Sequence, residues 1–144
     1  MINFLNDITG GNLLLWKVIL TSIVFALAGL QVVMAARFWG RPLFAGISAG
    51  TAVRVHRTSG RLALTLGVLV ALTCIVGPAG PLSPTRVALH SLFGIVVFTV
   101  LAVKFLLLKV LRQGDSVLPL IGSLLFLAFG AIWATSVADY VAAK

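Results

Sequence analysis

Four apolar stretches, each of about twenty residues and set apart by short polar connections, limit what this chain can become. A hydrocarbon core ~30 Å thick is crossed by ~20 residues of helix. The stretches run from about 13 to 36, 58 to 77, 86 to 108 and 117 to 137. In lipid a spanning segment must satisfy its own backbone polar groups, and long runs without period-two alternation do so as helices. The expected fold is therefore all-α: one integral membrane four-helix transmembrane bundle covering residues 1–144.

Composition agrees. The chain is 60% hydrophobic and 10% charged, whereas soluble domains carry about 25% charged residues. Eleven Lys and Arg against three acids, Asp7, Asp115 and Asp139, give a net charge of +8. Such a charge can signal nucleic acid. Here the basic residues gather mostly in short connections between apolar runs, where they meet lipid headgroups, so nucleic acid is excluded as a partner and the bilayer expected. Residues 1–12 contain Asn3, Asn6, Asp7 and Asn12 and no basic segment before the first apolar run. They do not read as a cleavable signal, and the first helix is expected to direct its own insertion.

The connections carry clear breaks. Residues 37–57 read as a loop with Arg37, Arg41, Pro42, Gly46, Gly50, Arg54 and Arg57. Residues 77–84, Gly-Pro-Ala-Gly-Pro-Leu-Ser-Pro, stop one helix and start the next. Residues 109–116 are polar, and Pro119 falls in the first turn of the fourth helix, where a missing N–H is harmless. Arg37, Arg41, Arg54, Arg57, Arg61, Lys104, Lys109 and Arg112 share one membrane face; Lys17, Arg86 and Lys144 share the other. The richer face is expected in the cytoplasm, leaving both termini on the non-cytoplasmic side. Trp39 is expected at the cytoplasmic boundary, and Trp16, Trp133 and Tyr140 at the outer one. Lys17 and Lys104 lie close enough to helix ends to snorkel. No acid lies within a span to pair with them, which argues against a proton pump.

Chemistry centres on two histidines. His56 and His90 are each followed four residues later by a glycine, Gly60 and Gly94. On a helix that glycine lies on the histidine's face one turn along, and without a Cβ it leaves a flat gap beside the imidazole. A porphyrin needs such a gap, and neutral imidazole is a usual axial ligand of haem iron. His90, His56, Gly94 and Gly60 are thus the candidate haem b residues, with the two histidines as the metal ligands. The same small-residue spacing also serves plain helix packing, and His56 among its arginines also suits an interfacial residue.

Reflection through the turn near Leu82 sets His90 level with Thr73, and His56 about 17 residues, or ~25 Å, away along the axis. One iron cannot take both histidines of one chain. Thr73 is a poor ligand, and Cys74, adjacent in sequence, points ~100° away from it. Met34 can pair with His56, and a symmetric dimer or neighbouring subunit can supply a second histidine to His90.

Several segments carry a resemblance. Val55-His-Arg-Thr-Ser-Gly-Arg-Leu-Ala-Leu64, Arg86-Val-Ala-Leu-His-Ser-Leu-Phe-Gly94, Ala102-Val-Lys104, Leu118-Pro-Leu-Ile-Gly122 and Trp133-Ala-Thr-Ser136 resemble an uncharacterised bacterial family of four-helix integral membrane proteins, over roughly residues 52–140. Leu89-His-Ser-Leu-Phe-Gly94 is also similar to a haem-binding helix of the ascorbate-reducible transmembrane cytochromes b. The resemblance implies a b-type cytochrome or a relative of one. It also implies a histidine just before the cysteine of helix two, where this chain has Thr73 before Cys74.

Two functions follow as expectations. One is a small b-type cytochrome-like protein passing electrons to or from a quinone or a partner complex. The other is a haem-free accessory subunit of a respiratory or photosynthetic assembly, with Ala26, Gly29, Gly122 and Gly130 facing partner helices or a second copy. A channel or transporter would need oligomerisation to line a pore, and no filter sequence is visible. No loop has room for a catalytic domain, so an enzyme acting alone is not expected.

Overall fold

In the computed structural model residues 7, 9–40, 46–76, 84–111 and 117–142 are described. Four helices account for nearly all of them: α1 Leu13–Phe38, α2 Ala49–Val76, α3 Pro84–Phe105 and α4 Leu118–Ala142. A wide π-helical stretch, Leu106–Leu111, carries α3 onward. All four helices are long and apolar enough to cross a membrane. Arg41, Pro42, the breaker at 77–83, Arg112–Ser116 and Lys144 lie outside the described residues.

α2 begins at Ala49, nine residues before the expected Thr58. The signal for the earlier start is Ser48. Its hydroxyl accepts the Thr51 backbone N–H at 3.1 Å, as an N-cap does, and Ala52 N–H donates to Ser48 O at 3.0 Å to open the helix. Arg54 and Arg57 therefore stand on helix rather than in the expected loop. Arg37 ties the end of α1 to the same entry by donating Nε–H to Ile47 O at 2.6 Å.

Packing runs in the order α2–α1–α4–α3. α1 lies between α2 and α4, and α3 rests on α4. The α2 face toward α1 is built from small residues at heptad-like spacing, with Ala52, Ser59 and Ala63 buried and Val70 below them. Small residues let backbones approach where lipid provides no hydrophobic drive for helix association. Between α1 and α4 the seam is aromatic. Phe25 stacks between Phe126, ring centroids 5.3 Å apart, and Trp133, 5.2 Å apart. A Cβ on Gly130 would meet the Phe25 ring at 3.3 Å, and one on Gly29 would meet Phe126 at 3.8 Å. These two glycines thus admit rings of their own chain. Trp133 is half-buried and donates its indole N–H to Ser22 Oγ at 2.9 Å. Trp16 and Trp39 are exposed, as amphipathic rings near helix ends can be.

The α3–α4 contact centres on Val97, Ile121, Leu125 and Ala128. Hydroxyls inside the spans bond to their own helix. Thr21 donates to Lys17 O at 2.7 Å, and Ser22 to Val18 O at 2.8 Å. Such bonds satisfy a polar group that lipid cannot.

Candidate functional site

Because α2 and α3 each pack on a different inner helix, a cleft opens between them. Its volume is ≈ 650 Å³, within the usual range for small-molecule sites, ~300–1,000 Å³. α1 and α4 form the floor with Val24, Phe129 and Ile132. The α2 wall includes Gly67, Ala71 and Cys74, and the α3 wall His90, Gly94 and Phe98. Most of the lining is apolar, with Lys17 and Ser136 adding polarity.

His90 is held from α4. Its Nδ1 lies 3.0 Å from Thr135 Oγ1. The Thr135 hydroxyl has a carbonyl acceptor on its own helix, Ile132 O at 2.8 Å. With that proton directed to the carbonyl, His90 Nδ1–H donates to Thr135. Metal-binding histidines are commonly oriented in this way, by a hydrogen bond on the ring nitrogen that does not bind the metal. Beside it, a Cβ on Gly94 would meet nothing within 4 Å, and the same is true of Gly67 across the cleft. The flat gap read from the His90–Gly94 spacing is thus open space within the cleft.

His56 stands elsewhere, in the α1–α2 seam. Its Nδ1 is 3.1 Å from Gln31 O. A carbonyl can only accept, so Nδ1 is the protonated nitrogen. Gln31 answers by donating Nε2–H to His56 O at 2.8 Å and to Ser59 Oγ at 2.5 Å. Ser59 passes its own proton to Val55 O at 2.6 Å. A Cβ on Gly60 would come within 3.0 Å of Gln31 Oε1. The space beside Gly60 therefore receives the Gln31 amide. Gln31 was missed in the sequence because a single amide within an apolar run has no spacing signature.

The two histidines do not share a site: the cleft includes His90 and Gly94 but neither His56 nor Gly60. Met34, the sequence partner suggested for His56, is buried. On helix two the structure selects Cys74 as a cleft residue, while Thr73 turns its hydroxyl to Val70 O at 2.8 Å. The expected 100° divergence of Cys74 from Thr73 is the reason, since the cleft lies on the cysteine's side. Among the described residues no group of three or more His, Cys, Asp or Glu could hold a metal ion.

The sequence model of a family of unknown function, DUF6529, matches residues 6–144. The chain belongs to that family. No curated protein and no solved structure matches it. Membership agrees with the uncharacterised four-helix family expected from the sequence, and the four spanning helices give that family's fold in this chain.

Proposed function

We propose that the chain is a small membrane haem protein of the b type, which exchanges electrons with a quinone or a partner complex through the α2–α3 cleft. The observation that carries the reading is His90, anchored through Nδ1 on Thr135 and lining a largely apolar cleft of ≈ 650 Å³ with open space at Gly94. His90 is the residue that would bind the haem iron in this reading. Gly94 and Gly67 would leave room for a flat macrocycle between largely apolar walls. Cys74 on the opposite wall offers a second ligand of a type that haem iron accepts. Lys17, also in the lining, would supply a cation for a carboxylate of the bound group. When bound, haem supplies one-electron redox chemistry whose potential depends on its axial ligands and burial. The basic-residue distribution supports both termini on the non-cytoplasmic side, and a bacterial inner membrane location rests on the resemblance to a bacterial family.

A second reading has one observation in its favour. Only 6% of the most apolar window of α3 is buried, which suits an accessory subunit whose α3 lies against a helix of another protein.

An absorption spectrum of detergent-purified protein, oxidised and then dithionite-reduced, separates the two. A sharp reduced α-band in the b-haem region, lost in His90→Ala and kept in His56→Ala, supports the cytochrome. A colourless protein purified from haem-replete cells overturns it. Co-purification of other membrane subunits then tests the accessory reading.

A further inference from the structure

α2 turns a second face away from both α1 and the cleft. Successive residues rotate by ~100° around a helix. Opposite buried Ala52, Ser59 and Ala63, this places Arg54, Arg57, Thr58 and Arg61, followed by Thr65 and Leu72. All six are exposed. The three arginines stand at i, i+3 and i+7, so like charges repel along one stripe. α2 contains no acid, and none of the three makes an ion pair among the described residues.

The stripe changes character along its length. Arg54 to Arg61 covers ~10 Å of rise, comparable with a headgroup layer, and apolar side chains follow. A shallow hollow of ≈ 510 Å³ runs along this side, bordered by Thr51, Arg54, Val55, Thr58 and Leu62. Leu62 is 50% exposed and Leu72 54% exposed. Thr58 and Thr65 donate to Arg54 O and Arg61 O, each at 3.0 Å, so the guanidinium groups are the stripe's outward donors. A guanidinium fork matches phosphate oxygens in pairs.

We propose that this face of α2 binds an anionic phospholipid, with its phosphate on Arg54, Arg57 and Arg61 and an acyl chain lying along Leu62 toward Leu72. Anionic charge relieves the repulsion within the stripe, and the apolar continuation takes the chain attached to it. The proposal is independent of haem.

The test uses the full chain in a neutral detergent. Phosphatidylglycerol and phosphatidylcholine are titrated separately in mixed micelles, and bound lipid is read by native mass spectrometry alongside the thermal transition. Phosphatidylglycerol should bind more tightly and raise the transition temperature. Affinity should fall roughly fivefold for each arginine changed to glutamine. Arg54→Gln/Arg61→Gln should lose most of the preference, while Lys104→Gln/Lys109→Gln, which removes equal charge from α3 and its continuation, should keep it. Glutamine retains helix propensity, and circular dichroism checks each fold. If the double variant unfolds, Arg57→Gln alone must still show its fivefold loss. Equal binding of both lipids, equal loss in the two double variants, or the same stabilisation by inorganic phosphate overturns the proposal. So does an acidic protein that occupies the stripe in place of lipid and leaves only when the arginines are changed.

Discussion

His56 and His90 each precede a glycine by four residues, yet the two sites are filled differently. Beside Gly60 stands the amide of Gln31, locked to His56 in both directions across the α1–α2 seam. Beside Gly94 no side chain enters within 4 Å of a Cβ position, and the histidine is steadied by Thr135 of the adjoining α4. The same local pattern thus makes a helix joint in one place and a receptive gap in the other. What separates them is the facing helix. α1 presses on α2 through small residues, while α3 and α2 are held apart by the two helices on which they rest.

The largest expected contrast is in colour. His90→Ala should abolish haem absorbance in protein that still elutes as folded, while His56→Ala should keep it; the reverse pattern in purified variants breaks the comparison outright. Next comes Thr135→Val, which removes the acceptor for His90 Nδ1 and keeps the side chain's shape. Outer-sphere partners of metal-bound histidines are worth about ten- to a hundredfold in affinity, so haem retention against apomyoglobin should weaken by that order. Unchanged retention would mean that Thr135 does not orient the ring.

Gln31→Leu tests the joint itself. It removes two donated hydrogen bonds, and membrane hydrogen bonds cost about 0.6 kcal/mol each to lose, up to ~1.7 kcal/mol. A stability loss of about 1–2 kcal/mol is expected in mixed-micelle denaturation, with the haem spectrum intact. The smallest and most discriminating pair is Gly60→Ala against Gly94→Ala. At Gly60 the new methyl meets Gln31 Oε1 at 3.0 Å, so stability should fall by about 1 kcal/mol with colour unchanged. At Gly94 the methyl meets no protein atom within 4 Å, so stability should stay within about 0.5 kcal/mol while haem retention drops. Equal effects at both glycines would erase the distinction between joint and gap.

How much of this was legible depends on the range of the interaction. Helix one starts at the expected Leu13, and helix four starts one residue from the expected Val117, because a run of apolar residues and a turn breaker are local signals. The start of α2 was obscured because Arg54 and Arg57 resemble a loop. The Ser48 cap marks the true entry, and among the described residues Arg54 and Arg57 sit on an exposed face of the helix. Cys74 points ~100° away from Thr73 on the helix, and the cleft lies on the cysteine's side, a choice that only the packing of α2 makes. The partner of the Trp133 indole N–H is Ser22 on α1, 111 residues away in sequence, which no local pattern announces.

The sequence by itself determined that this chain crosses a membrane four times as helices. That decision is additive and local: each segment buries its own backbone polar groups, and each apolar side chain contributes to transfer into lipid on its own. Only the tertiary structure decided which helices touch, which glycine gap is occupied, and which residues of α2 and α3 face each other across the cleft. Those choices turn on side-chain volumes and hydrogen-bond partners brought together from distant segments, such as Gln31 with His56 and Thr135 with His90. In lipid such contacts, rather than burial from water, select one arrangement of apolar helices over another.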